Sequence, residues 1–150
     1  MEVKGRTFQA MSVATALSVY VLIVLGGLVA STDSGLACPD WPLCNGQILP
    51  SFTINVLIEF THRLWTIEVT IIVIATMLMA WKFYERTSKI TLFATLTFIL
   101  LLGQITLGML TVQTRTLPVV VTAHLGMATL VFASTLITCV FSFVNPKGVQ

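Results

Sequence analysis

Four stretches of mostly apolar residues, each longer than twenty, constrain this chain more than any other feature. They run roughly over residues 7–30, 54–81, 90–112 and 119–144, with short polar segments between them. A bilayer core asks for about 20 apolar residues per helical crossing, and a helix satisfies its own backbone polar groups where water is absent. The expected fold is therefore all-α, an integral membrane four-helix bundle that takes residues 1–150 as a single domain. Composition points the same way, because only 9% of residues are charged and mean hydropathy is +0.95, where soluble domains carry about 25% charge. The prolines Pro39, Pro42, Pro50, Pro118 and Pro146 all fall outside the four spans, as residues that end helices should. The first stretch is too long for the core of a signal peptide and lacks a clear small-residue cleavage site, so it is expected to persist as a helix. No internal repeat and no low-complexity segment is evident.

Orientation is read from the basic residues. Lys4 and Arg6 precede the first span, Lys82, Arg86 and Lys89 lie between the second and third, and Lys147 follows the fourth. The other two loops carry Asp33, Asp40 and one basic residue, Arg115. The positive-inside rule then makes both termini and the 82–89 loop cytoplasmic, and turns the 31–53 and 113–118 loops outward. A multi-pass protein of the plasma membrane is expected, with Trp81 and Tyr84 as anchors at the inner interface. The net charge of +2 includes no basic patch that would suit nucleic acid, so lipid is the expected surrounding.

The chain has two histidines, His62 and His124. Counted at about 1.5 Å per residue from the outer ends of their spans, both lie roughly 9 to 12 Å deep. Two imidazoles at matching depth on separate helices suit the axial positions of a haem iron, whereas they would leave half of a tetrahedral zinc site empty. Gly26, Gly27, Gly103, Gly108 and Gly126 would make room for a macrocycle at that level. The plainer alternative is that each histidine hydrogen-bonds between helices and the glycines only allow close packing.

Glu59, His62 and Arg63 share one helical turn. A carboxylate beside an imidazole in a low dielectric could orient it or exchange protons with a reactant. Arg63 could neutralise Glu59 or meet a haem propionate, and otherwise the two form an interfacial ion pair without chemistry. Glu68, near or below mid-membrane, has no role that the sequence specifies. Cys38 and Cys44 sit in the 31–53 loop. An oxidising compartment would allow them to pair, stiffening a cap; a redox-active dithiol and two free thiols are the alternatives. Cys139 reads as a packing residue near the inner end of the fourth span.

Three segments, GGLVASTDSGLACPDWPLCNGQ from Gly26, IEFTHRL from Ile58 and GQITLGMLTVQTRTLPVVVTAHLG from Gly103, together resemble the haem A synthase family. The usual member has eight spans in two related halves, and this chain resembles the cysteine-bearing first half. The resemblance implies oxidation of the C8 methyl of haem O to a formyl group, giving haem A for terminal oxidases. It also implies that His62 and His124 flank the haem iron, that Glu59 assists the oxidation, and that Cys38 and Cys44 form the loop pair. Arg63, Gly26 and Gly27 are the further candidate contacts to the haem, whether haem b or haem O. The family often has a basic residue and a glycine where this chain has Ala30 and Asp33. A lone half is expected to self-associate, as a dimer that mimics the full-length arrangement or as a trimer. A haem O synthase and an electron-transfer protein are further partners such a role allows. The competing readings are a bis-histidine membrane cytochrome b, which would not need an acid beside its ligand, and a four-helix thiol oxidoreductase, which normally has two close C-x-x-C pairs.

Overall fold

The computed structural model describes residues 2–51 and 53–144, without the side chains of residues 2–4; Pro146 and Lys147 lie outside the described residues. The helices are α1 Glu2–Ser31, α2 Ile54–Phe83, α3 Lys89–Gln113 and α4 Pro118–Val144. All four are long and apolar enough to cross a membrane. Caps mark two starts: Thr53 Oγ1 accepts the Val56 N–H at 3.4 Å to open α2, and Ser88 Oγ accepts the Thr91 N–H at 3.2 Å to open α3. Pro118, expected just outside its span, is instead the first residue of α4, where a missing N–H and a fixed φ cost nothing.

The helices α1 and α3 end in the same way. Asp33 and Arg115 both adopt φ of 51°, and the following residue donates its N–H five residues back, Ser34 to Val29 at 3.0 Å and Thr116 to Thr111 at 2.7 Å. This is the left-handed Schellman ending, which satisfies carbonyls that the helix leaves open and which glycine adopts without steric cost.

Helix α1 packs on α2 and α4, and α3 packs on α4 and α2, so these contacts close a ring. Leu17, Val24, Ile71 and Ile99 lie more than half exposed on its outside, where lipid contact carries no penalty. Inside, the end nearest the α2–α3 connection holds Phe8, Ala80, Tyr84, Ile90 and Ala94, and the middle holds Val19, Val69, Val73, Leu101 and Val131. Hydroxyl pairs join neighbouring helices: Ser12 with Ser142 at 3.2 Å, Thr15 with Thr76 at 2.7 Å, and Thr97 with Ser134 at 2.8 Å. Small polar residues allow such close approach in membrane bundles. Tyr84 corrects the interface-anchor expectation. It is only 2% exposed and packs edge-on against Phe8, with ring centroids 5.0 Å apart. Trp81 donates its indole N–H to Thr95 at 2.9 Å, with the Arg86 guanidinium 4.5 Å from its ring centre.

Candidate functional site

Each histidine lies against a glycine of the preceding helix. A Cβ on Gly26 would stand 3.3 Å from His62 Cε1, and one on Gly108 would stand 3.2 Å from His124 Cε1. Both rings therefore rest on bare backbone, in space that any larger residue would invade. His62 Nδ1 and His124 Nδ1 are buried without a hydrogen-bond partner, a costly condition for an imidazole unless a ligand or ring rotation relieves it. Gln104 Nε2 lies 3.3 Å from His124 Nε2, and its Oε1 is buried without a partner. With the imidazole proton on Nδ1, the Gln104 amide donates to His124 Nε2. Gln104 registers in the sequence only as a polar residue inside the third span.

The geometry exposes a repeat. Gly26 lies seven residues before Asp33 (33 − 26) and Gly108 seven before Arg115 (115 − 108), and each precedes its Schellman ending by the same interval. Each helix then gives way to a second helix carrying a histidine, 36 residues after Gly26 (62 − 26) but only 16 after Gly108 (124 − 108). The bundle is thus two glycine–histidine hairpins, and the first has a connection about twenty residues longer (36 − 16). The second hairpin lacks the acid and the base. Val121 and Leu125 stand relative to His124 where Glu59 and Arg63 stand relative to His62.

Glu59 is buried at 5% exposure, and its Oε1 accepts the Arg63 Nε–H at 2.9 Å. The rest of the guanidinium turns to the long loop instead of presenting its fork to a ligand. Nη1 donates to the carbonyls of Asp40 and Leu43, and Nη2 to that of Cys38, each at 2.7 Å. Cys38 and Cys44 are joined in a disulfide and buried against Val56, Ala37 and Phe60. The Asp40 carboxylate accepts the backbone N–H groups of Asn45 at 2.6 Å and Gly46 at 2.8 Å. The Gly46 N–H first, then Asn45 and the Arg63 charge, hold this carboxyl below the usual carboxylate range.

The remaining candidates are less engaged. A Cβ on Gly27 or Gly126 would meet nothing within 4 Å, so packing within this chain requires neither glycine, and Gly103 faces Met127 at 3.5 Å. Glu68 is exposed on the outside of the bundle and accepts a long hydrogen bond from Ser18, at 3.4 Å. Cys139 is free and half-buried. Among the described residues, no group of three or more His, Cys, Asp or Glu is placed to hold a metal ion. Haem makes a smaller demand, because it supplies its own equatorial nitrogens and asks the protein only for axial ligands. Two imidazoles, each seated on a glycine, fit that demand once His124 Nε2 gives up its contact with Gln104 and offers its lone pair.

Fold and site together define a four-helix membrane protein with paired histidines at one end of its bundle. The chain belongs to the COX15-CtaA family of cytochrome oxidase assembly proteins, which it matches over residues 9–55 and 49–147. It is 33% identical over 145 residues to a protein named "Heme A synthase" from Bacillus mycoides (strain KBAB4), an overlap covering 95% of this chain and 47% of that protein. Proteins of the same name from Bacillus cereus (strain AH187) and Bacillus anthracis (strain A0248) are each 32% identical over the same shares. The chain thus spans about half the length of these relatives.

Proposed function

We propose that this chain is a membrane oxidoreductase of haem A synthesis, oxidising the C8 methyl of haem O to a formyl group by successive hydroxylations and loss of water. Family membership and the name of the relatives support the class of reaction. The observation that carries the assignment to this chain is the asymmetry of the two hairpins: a buried acid accompanies His62, while Val121 takes its place beside His124. A carrier that only passes electrons between two axial histidines has no use for that acid.

In this reading His62 and His124 hold the haem, and Gly26 and Gly108 keep the space beside their rings clear. The haem would supply the iron that activates an oxidant, together with the methyl group to be oxidised. Arg63 fixes Glu59 through Oε1, which leaves Oε2 as the atom that would take or give a proton. Val121 and Leu125 give His124 no such group, and its polar neighbour is the Gln104 amide, which does not titrate. The disulfide loop, proposed to face outward, covers the same end and limits access of water.

Expression of the full chain in cells that make haem O, followed by pigment extraction and chromatography, tests the proposal. A formyl haem that depends on the chain is expected. Haem recovered bound but chemically unchanged would overturn the enzymatic reading in favour of a cytochrome b.

A further inference from the structure

The Arg63 guanidinium is committed to the chain itself. It pairs with Glu59 on its own helix and gathers three carbonyls, those of Cys38, Asp40 and Leu43, from a ring closed by the Cys38–Cys44 disulfide. Three carbonyls converge on one cation only while the loop is held in a closed turn, and an open chain would lose conformational entropy to reproduce that arrangement. We propose that Arg63 is a positioning residue that couples the closed disulfide loop to the placement of Glu59, so that loop and acid move as one unit.

The two-hairpin comparison supports this independently. The second hairpin joins its helices through residues 114–117 alone and carries Leu125 in the place of Arg63 and Val121 in the place of Glu59. The clamp is present where there is a long loop to clamp and absent where there is none. Burial adds a second constraint, because the cysteines are 0% and 1% exposed, so a reductant reaches the sulfurs only when the loop opens. Opening breaks the three carbonyl contacts, and Arg63 is then free to swing with Glu59. By linkage the effect is mutual: whatever the clamp contributes to the closed loop, the disulfide contributes to the clamp. The consequence for catalysis rests on the function proposed above, while the coupling itself does not.

The test uses the full chain in detergent, without haem. Dithiothreitol passes two electrons and two protons to the disulfide as it closes its own ring, and maleimide gel shift counts the thiols released. Reduction in Arg63→Gln is expected to run roughly 10-fold faster or more than in the unaltered protein, the equivalent of one lost charged hydrogen bond. Arg63→Lys should fall between them, because one ammonium cannot reproduce a planar fork. In the reverse direction, reducing the disulfide of the unaltered protein should shift the infrared carboxylate band of Glu59, identified by its disappearance in Glu59→Gln. That second arm stands even if Arg63→Gln does not fold. Equal reduction rates in the folded proteins, or a Glu59 band that reduction leaves in place, would overturn the coupling. Neither readout needs haem chemistry, so a failure of the haem A synthase reading would show separately, as the absence of formyl haem.

Discussion

Replacing Gly26 with alanine is a small change with a sharp expected effect. The new methyl carbon would stand 3.3 Å from His62 Cε1 and 3.8 Å from Nδ1, whereas carbon contacts settle at about 3.5–4.0 Å. The imidazole must therefore retreat by a few tenths of an ångström. Overpacking of this kind costs about 1–3 kcal/mol. Alanine returns about 1 kcal/mol in helix propensity, so the helix should persist while the ring moves. An axial bond tolerates such movement poorly, and about 1.4 kcal/mol corresponds to tenfold in affinity. Haem retention through purification should fall by roughly one order of magnitude, with a weakened low-spin bis-imidazole spectrum. Gly27→Ala is the neighbouring control, since nothing lies within 4 Å of a Cβ there, and it should keep haem and spectrum unchanged. Haem-to-protein ratio, electron paramagnetic resonance and thermal melting of the two variants side by side provide the assay. Equal haem content and equal spectra in both would refute the argument that the Gly26–His62 contact shapes a ligand pocket.

Cys38→Ser with Cys44→Ser should weaken activity more than haem content, and maleimide should leave both native cysteines unlabelled without reductant; full labelling in the folded protein would contradict the intrachain bridge. Because the carboxyl of Asp40 is depressed in the folded protein, its contribution to the loop is complete above the ordinary value of 3.8 and is lost as pH falls through the folded value. The amide signals of Asn45 and Gly46 should therefore hold steady above that pH and move only below it, and a midpoint above 3.8 would be inconsistent. Self-association of this chain is proposed, with closed symmetry as the usual solution. Native mass spectrometry in mild detergent should show a dimer or trimer, and an active species that is only monomeric would count against self-association.

Hydropathy carried the fold class because a bilayer leaves so few backbone solutions: twenty-odd apolar residues bounded by prolines read as a helix before any packing is known. The disulfide was one of several open readings of Cys38 and Cys44 from spacing alone. The repeat stayed hidden for two reasons. The first hairpin has about twenty more residues between glycine and histidine (36 − 16), and both Schellman endings use Asp33 and Arg115 in place of the glycine that usually signals them. The sequence places Arg63 beside Glu59 and His62, yet three of its partners are backbone carbonyls 20 to 25 residues away, which no residue identity announces. Tyr84 misled because an aromatic residue beside basic ones at a span end has the composition of an interface anchor, while burial against Phe8 depends on how α1 packs. For Gly26 and Gly27 the sequence offers no distinction; helix rotation brings the first to His62 and leaves the second with no neighbour within 4 Å.

Pigment analysis of Glu59→Gln beside the unaltered chain and a His62→Ala variant tests the central claim most directly, because it separates holding the haem from oxidising it. The glutamine keeps the shape and a hydrogen bond to Arg63 but removes the ionisable proton. Bound haem should therefore stay at the unaltered level while formyl haem forms roughly 10²-fold more slowly, whereas His62→Ala should lose the haem itself. Formyl haem made at the normal rate by Glu59→Gln would contradict the account and leave Glu59 a structural partner of Arg63.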